Sequence, residues 1–241
     1  MTDFDQSLWA ESRFAQDYRD QAEHIIQKRQ ELFRILRSFH RFFARRSSPI
    51  HVCDLGCGDG ALAQQLLEED PSLKATLIDG SEEMLAAARN RLAPYPNVSF
   101  DRKSFAEIIA DSTGRSGFDF VVSAFAIHHL LLPDKRALFQ TIFQQLRPGG
   151  FFLNIDTVFP DHSLFTDWCY AVWQEWVDER NRRLGLKGAF KDIAAKARQN
   201  PDNQLSALAD QLQALRSAGF QNVECHYKNG LFAIFGGGKA S

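Results

Sequence analysis

The chain of 241 residues is long enough for one well-packed domain with additional elements. Its 28 basic and 30 acidic side chains give a formal charge of −2, which provides no overall attraction to nucleic acid or to an anionic membrane. No apolar run is long enough to cross a bilayer, and the first residues lack the basic and apolar regions of a signal peptide. Four scattered cysteines, with no histidine pair near the C-x3-C spacing of Cys53 and Cys57, favour reduced thiols over a zinc site. We therefore expect a cytoplasmic protein without a membrane segment or a metal ion.

The region before Ile50 is predicted to be helical. Apolar side chains recur near a period of 3.6 across residues 9–46. Between them lie Arg34, Arg37, Arg41, Arg45 and Arg46, and a solvated polar face explains these arginines better than a phosphate site. Ser47, Ser48 and Pro49 end the region.

From Ile50 onwards, short apolar runs alternate with helical patterns. Ser81 is expected to cap the second helix, with two glutamates in its first turn. Apolar strands separated by helices predict a mostly parallel sheet that is covered on both faces. The predicted strands are 50–55, 75–78, 98–100, 118–124 and 151–156, and the predicted helices are 61–69, the segment after Ser81, 105–111 and the segment from 138 to 146.

After Asp156 the alternation stops. Residues 160–199 contain no good strand, and their aromatic side chains fall on two faces of one helix. Such a helix is wedged between layers or lines a pocket. Four leucines from Leu205 to Leu215 predict one more helix, and Asn229-Gly230 between two β-rich runs predicts a hairpin. A mostly parallel sheet should therefore finish with an antiparallel pair.

A glycine-rich loop follows the first strand, in the stretch from Val52 to Gly60. Its G-x-G-x-G spacing departs from the G-x-G-x-x-G dinucleotide fingerprint, and the Asp54 carboxylate would repel a pyrophosphate. A carboxylate at this position suits an ammonium or a sulfonium group. Asp79, at the end of the next strand, can bind both hydroxyls of a ribose. Together the two acids predict a nucleoside ligand with an amino-acid tail and no phosphates.

Several motifs in matching order resemble the class I S-adenosylmethionine-dependent methyltransferases. They are DLGCGDG, LIDGS, FDFVVSAFAIHHL, LRPGGFF and the terminal AGFQNVECHYKNGLFAIFGGGK. The resemblance implies an α/β, Rossmann-like, doubly wound and mostly parallel seven-stranded sheet of order 3-2-1-4-5-7-6, with strand 7 antiparallel. It implies one methyltransferase domain over 1–241, divided into an N-terminal helical lid (1–48), a cofactor-binding core (49–157), a helical insertion over the acceptor pocket (158–204), and a last helix with a β-hairpin (205–241).

The resemblance also implies a set of cofactor-binding residues. Gly56 and Gly58 would let the backbone approach the amino-acid tail, and Asp79 would bind the ribose hydroxyls. Ser104 stands where the family often has an acid that reaches the adenine amino group, which leaves that contact open. The full set is Tyr18, Arg19, Asp54, Gly56, Cys57, Gly58, Asp79, Gly80, Met84, Ser104, Phe105, Ala124 and Phe125.

Candidates for a role towards the acceptor are fewer. His129 and Asp156 are the candidate catalytic residues, because either could take a proton from an acceptor. His128 is a weaker candidate, and the histidine pair can also be a structural contact. Tyr170, Trp173 and Lys228 are the candidate acceptor-binding residues, with core packing and a solvated turn as the structural alternatives.

We therefore expect an enzyme that transfers a methyl group from S-adenosylmethionine to a small-molecule acceptor, with S-adenosylhomocysteine as product. It would act as a monomer or homodimer, without nucleic acid or membrane. One alternative is an enzyme of the carboxy-S-adenosylmethionine type, or one directed at tRNA. Another is a non-catalytic protein that binds S-adenosylmethionine or S-adenosylhomocysteine, and a nicotinamide oxidoreductase is the most distant.

Overall fold

A single seven-stranded sheet forms the centre of the fold. The computed structural model describes residues 21–44, 50–111, 117–186 and 190–241. Within these residues the strand order is β3-β2-β1-β4-β5-β7-β6, which confirms the predicted topology. Strands β1 to β5 pair in parallel, whereas β7 is antiparallel to both β5 and β6. The strands are His51–Leu55 (β1), Lys74–Asp79 (β2), Val98–Arg102 (β3), Phe118–Ala124 (β4), Leu146–Thr157 (β5), Gln221–Asn229 (β6) and Phe232–Gly238 (β7).

Helices connect the parallel strands and cover the sheet. Residues 21–25 are helical and a turn at 26–28 separates them from the helix that begins at Arg29. A π-helical turn at His40–Ala44 extends that second helix, and short 3-10 turns occur at Ile127–His129 and Ser163–Phe165. Ser81 caps the helix that follows it, since its Oγ accepts a hydrogen bond from Met84 N, as predicted. The helices are Arg29–Phe39 (α1), Ala61–Glu69 (α2), Glu82–Leu92 (α3), Phe105–Ala110 (α4), Leu132–Gln145 (α5), Thr166–Leu184 (α6), Ile193–Gln199 (α7) and Leu208–Ala218 (α8).

The hydrophobic core has two halves, one on each face of the sheet. On β1, Val52 belongs to the half that is covered by α1, α2 and α3. The neighbouring Cys53 points to the other half, which is covered by α5 and α8. Burial on both faces explains why the central strands are apolar throughout instead of alternating, as the sequence predicted.

Two predicted elements differ from the structure. Strand β5 begins at Leu146 rather than at 151, because Leu146 pairs with Phe118 and Gly149 N donates to the Lys239 carbonyl (3.0 Å). Helix α6 is buried along one face only, since Trp168 remains 62% exposed. The predicted helical residues 9–20 lie outside the described residues.

The parallel arrangement brings the carboxyl ends of β1 to β4 to one edge of the sheet. Ligands of open α/β sheets bind at this edge, next to the point where the strand order reverses. Here that point lies between β1 and β4, where the glycine-rich loop begins. Among the described helices, none combines the length and apolarity needed to span a membrane.

Candidate functional site

The glycine-rich loop turns sharply at the carboxyl end of β1. Gly56, Gly58 and Gly60 all have positive φ angles, of 65°, 52° and 76°. The amides of Gly56 and Cys57 both donate to the Ile78 carbonyl of β2 (2.8 and 3.1 Å), which fixes the loop to the neighbouring strand. A Cβ atom at Gly56 would lie 2.4 Å from Ala126 Cβ, so this position requires glycine for packing as well as for conformation.

Asp79 ties the end of β2 to this loop. Its carboxylate accepts hydrogen bonds from Gly58 N and Ser81 N, each at 2.8 Å. Burial raises the pKa of Asp79, while the backbone amides of Ser81, Gly58 and Gly80 oppose the rise. The carboxylate therefore holds the loop in place and borders the space in front of it.

Asp54 is the most unusual group of the site. It is 1% exposed, and neither carboxylate oxygen makes a hydrogen bond of ordinary geometry within the described residues. Desolvation, with the charge of Asp79 as a further cause, raises its pKa to about 8, although the nearby Ala63 amide lowers it slightly. Buried carboxylates normally have partners, so this one is suited to a cationic ligand.

A cavity of about 420 Å³ lies in front of these groups, a volume typical of sites for small molecules and cofactors. Eleven of the predicted cofactor-binding residues line it, from the carboxyl ends of β1, β2, β3 and β4. They are Asp54, Gly56, Cys57, Gly58, Asp79, Gly80, Met84, Ser104, Phe105, Ala124 and Phe125. The predicted Tyr18 and Arg19 lie outside the described residues.

Ser104 lines the cavity, but its hydroxyl has a local role. Its Oγ accepts a hydrogen bond from Glu107 N (3.3 Å) while Ser104 N donates to Glu107 Oε2 (2.8 Å), which forms a capping box at the start of α4, and the hydroxyl also donates to the same Oε2 (2.8 Å). The Ser104 side chain is thus engaged by α4, on the side of the cavity that is predicted to bind adenine.

The predicted acceptor-binding residues lie away from the cavity lining. Tyr170 and Trp173 are buried in a chain of ring contacts that continues through Phe232 to Phe125, with centroid separations of 5.6 to 6.4 Å. Trp173 Nε1 donates to the Ile25 carbonyl (2.8 Å), so its ring is fixed. Lys228 is exposed on β6 beside the hairpin turn.

The two predicted catalytic residues occupy different places. Asp156, at the end of β5, contacts His128 rather than His129, with 2.6 Å between Oδ1 and Nδ1. His129 lines the cavity, and its Nδ1 lies 2.9 Å from the Asp202 carbonyl. Because a carbonyl oxygen can only accept, Nδ1 carries the proton and Nε2 has the lone pair. Burial, with His128 as a further cause, lowers the pKa of His129 well below its usual value, so its ring is neutral at pH 7.

Several lining residues were missed from the sequence. Arg29 and Phe33 of α1 line one end, where the Arg29 guanidinium lies 4.6 Å from the Phe33 ring and pairs with Glu23. Their spacing of four residues on a predicted helix was a usable signal. At the other end, the segment from Pro201 to Gln204 forms a wall, and no motif marked it.

A buried lysine fixes this wall. Lys135 Nζ donates to the Gln204 carbonyl (2.6 Å) and to Ser206 Oγ (3.0 Å). Burial lowers the pKa of Lys135 to about 8, with Asp156 opposing the shift. Gln204 N also donates to the His128 carbonyl (2.9 Å), so the wall is joined to the loop after β4.

Comparison with known proteins agrees with this arrangement. A family model described as a methyltransferase domain matches residues 53–152. The trans-aconitate 2-methyltransferase of Acidovorax sp. (strain JS42) is 29% identical over 153 residues, which cover 61% of this chain and 54% of that protein. The chain thus spans about half the length of this curated relative. The carboxy-S-adenosyl-L-methionine synthase of Campylobacter concisus is 26% identical over 189 residues, covering 76% of this chain and 75% of that protein.

Among solved structures, an O-methyltransferase family protein from Burkholderia thailandensis superposes with a TM-score of 0.70 at 18% identity. The match covers 98% of this chain and 63% of that one. At this identity the likeness concerns the fold. Residues 53–152 thus match a methyltransferase domain, and the strand order and the loop between β1 and α2 agree with the fold of methyltransferase structures.

Proposed function

We propose that this chain transfers a methyl group from S-adenosylmethionine to a small-molecule acceptor by in-line displacement. The observation that carries the proposal is the buried Asp54 carboxylate, which faces the cavity without a hydrogen-bond partner of ordinary geometry. A ligand that carries an ammonium and a sulfonium would supply the missing positive charge. A dinucleotide would instead bring a pyrophosphate towards the same carboxylate.

The residues present fit such a cofactor. Gly58 has open space where a Cβ would be, so its backbone can approach the amino-acid tail closely. The Asp79 carboxylate is placed to accept from ribose hydroxyls, and Met84 and Phe105 give the adenine side of the cavity an apolar surface.

The protein's contribution to the chemistry would be mainly alignment and exclusion of water. When bound, the cofactor supplies an activated methyl group, so the chain needs no strong nucleophile of its own. An acceptor that loses a proton needs a base, and His129 is neutral, lines the cavity and has its lone pair on Nε2. Asp156 would then act through His128 as a positioning residue rather than at the cavity itself.

Titration calorimetry with S-adenosylmethionine and S-adenosylhomocysteine tests the cofactor assignment. Wild-type protein should bind both, and Asp79→Ala should lose about 2–4 kcal/mol of binding free energy, because it removes a charge-assisted hydrogen-bond acceptor. Asp70→Ala is the matched control, since Asp70 accepts from Ser72 in an exposed turn away from the cavity. Unchanged affinity in Asp79→Ala would remove Asp79 from the site, and absence of binding by the wild type would refute the proposal.

Turnover needs a separate test. We expect label from methyl-labelled S-adenosylmethionine to appear in a small molecule when the protein is incubated with a metabolite extract, with mass spectrometry as the readout. Binding without any transfer would instead identify a non-catalytic binding protein. Transfer to tRNA, and not to small molecules, would identify the acceptor as nucleic acid.

The similarity to carboxy-S-adenosyl-L-methionine synthases over three quarters of their length favours one second candidate, formation of a carboxylated cofactor. Mass spectrometry of the nucleoside recovered from the protein distinguishes methyl transfer from formation of a carboxylated cofactor, because the carboxylated cofactor has a different mass. We also propose a cytoplasmic protein, supported by four free cysteines, and a monomer or homodimer, which sedimentation would test.

A further inference from the structure

The side chains that line the cavity carry an excess of negative charge. Six acidic side chains and three cationic groups of the described residues line it, in addition to the neutral His129, and the acidic groups still outnumber the cations when Asp54 is protonated. The carboxylates belong to Glu23, Asp54, Asp59, Asp79, Asp134 and Asp202.

Each of the three lining cations is already paired with a carboxylate. Arg91 Nη2 lies 2.5 Å from Asp59 Oδ2, and Lys103 Nζ lies 2.6 Å from Asp111 Oδ2. Arg29, the third lining cation, pairs with Glu23. Among the described lining residues there is no fourth lysine or arginine. Residues 1–20 bring no surplus of positive charge either, since they contain five acidic and two basic side chains.

The interior of the site already opposes added negative charge. Asp54 and Asp79 both line the cavity, and the charge of Asp79 disfavours ionisation of Asp54. Because water is largely displaced from a filled cavity, such interactions are stronger there than at the surface. These carboxyl groups would therefore repel an anionic molecule that enters the cavity, but not a neutral or cationic one.

We propose that the acceptor is an uncharged or positively charged small molecule, and that molecules bearing carboxylate or phosphate groups are rejected. This inference rests on the proposed methyl transfer, because the acceptor must reach the sulfonium and thus share the cavity with these charges. During transfer the acceptor lone pair forms the new bond to the methyl carbon, the carbon–sulfur pair stays on sulfur, and any acceptor proton leaves to a base.

The proposal separates this chain from relatives that it resembles. Trans-aconitate is a tricarboxylate, and its recognition needs cationic side chains that are not committed elsewhere. Carboxylation of the cofactor, as named for the Campylobacter relative, likewise introduces a carboxylate beside the reacting centre. In this chain the lining arginines and the lysine are engaged by Glu23, Asp59 and Asp111.

A charge-fractionated extract tests the proposal. A metabolite extract is passed over an anion exchanger, and the flow-through and the bound fraction are each incubated with protein and methyl-labelled S-adenosylmethionine at low ionic strength. At least tenfold more label should enter the flow-through. Predominant labelling of the bound fraction, or methylation of trans-aconitate, would overturn the inference but leave the proposed function intact. If S-adenosylhomocysteine binds and neither fraction is labelled, methyl transfer itself fails, and the inference fails with it.

A variant pair tests the charge explanation directly. Glu23→Gln releases Arg29 from its ion pair, so the share of label in anionic acceptors should rise about tenfold. Glu31→Gln is the matched control, because Glu31 is a glutamate of equal side-chain exposure (40%) that pairs with Arg34 rather than with a lining residue. Equal acceptor profiles for the two variants would contradict the role assigned to the Glu23–Arg29 pair.

Discussion

At the scale of single residues, Asp54 and Asp79 have complementary tasks. Asp79 is satisfied by two backbone amides and fixes the loop, whereas Asp54 is buried without such partners. A buried carboxylate without partners lowers the stability of the folded protein. It strengthens binding, however, because a ligand can supply the missing hydrogen-bond donor or positive charge. The sequence assigned the two acids to different parts of a ligand, but it did not indicate that backbone amides satisfy Asp79 and leave Asp54 without such partners.

The raised pKa of Asp54 predicts a pH-dependent affinity. Without ligand the carboxyl is protonated below about pH 8, whereas a cationic ligand favours the ionised form. The affinity for S-adenosylhomocysteine should therefore rise with pH from 6.5 to 8, by up to about tenfold per unit, and then level off. Since the folded pKa exceeds the unfolded one, the contribution of Asp54 to folding is full in acid and is lost as the pH rises towards 8.

Calorimetry across this pH range checks the prediction. Asp54→Asn should bind more weakly and with a flat pH profile, since the titrating group is gone. Asp210→Asn, exposed in the first turn of α8, should keep the wild-type slope. A flat profile for the wild type would show that Asp54 does not titrate with binding.

At the scale of elements, the loop between β1 and α2 depends on close contact with the loop after β4. Gly56 and Gly185 have similar positive φ angles, of 65° and 70°. A Cβ atom added at Gly56 would lie within 3 Å of Ala126, whereas one added at Gly185 would meet open space. Comparing alanine substitutions at these two glycines therefore distinguishes the cost of backbone strain from the cost of overpacking.

Replacement of each glycine by alanine should show this separation. Both variants incur left-handed strain of about 1–2 kcal/mol in the free energy of unfolding. Gly56→Ala should lose a further ~1–3 kcal/mol from overpacking, and with it cofactor binding. Urea unfolding gives both values, and equal losses in the two variants would show that Ala126 moves aside without cost.

At the scale of the whole molecule, ligand binding should stabilise the fold. S-adenosylhomocysteine at 100 times its dissociation constant adds about 2.7 kcal/mol, because it binds only the folded state. For a chain of this length the melting temperature should rise by roughly 5–10 °C. Thermal unfolding with NAD at the same concentration is the control, and a comparable shift with NAD would favour a dinucleotide site instead.

The sheet could be predicted from sequence because the central parallel strands are mostly apolar runs beside a glycine or an acid. The hairpin at Asn229-Gly230 and the family resemblance together gave the position of β7. The cavity wall at Pro201–Gln204 could not be predicted, because it is irregular and is held by Lys135 from a distant helix. The pairing of His128 with Asp156, and of His129 with the Asp202 carbonyl, could not be predicted either, since adjacent residues in one turn point in different directions.

The contact between Trp173 and Ile25 has a consequence for biosynthesis. These residues are 148 positions apart, and the cavity residues Ala22 and Arg29 flank the acceptor carbonyl of this bond. During translation the N-terminal side of the cavity is made first, whereas its hydrogen bond to Trp173 can form only after α6 has left the ribosome. Strand β7, inserted between β5 and β6, is added later still. On the nascent chain the edge of β5 therefore stays unpaired from the synthesis of Thr157 until β7 has emerged, and an unpaired strand edge is prone to aggregation.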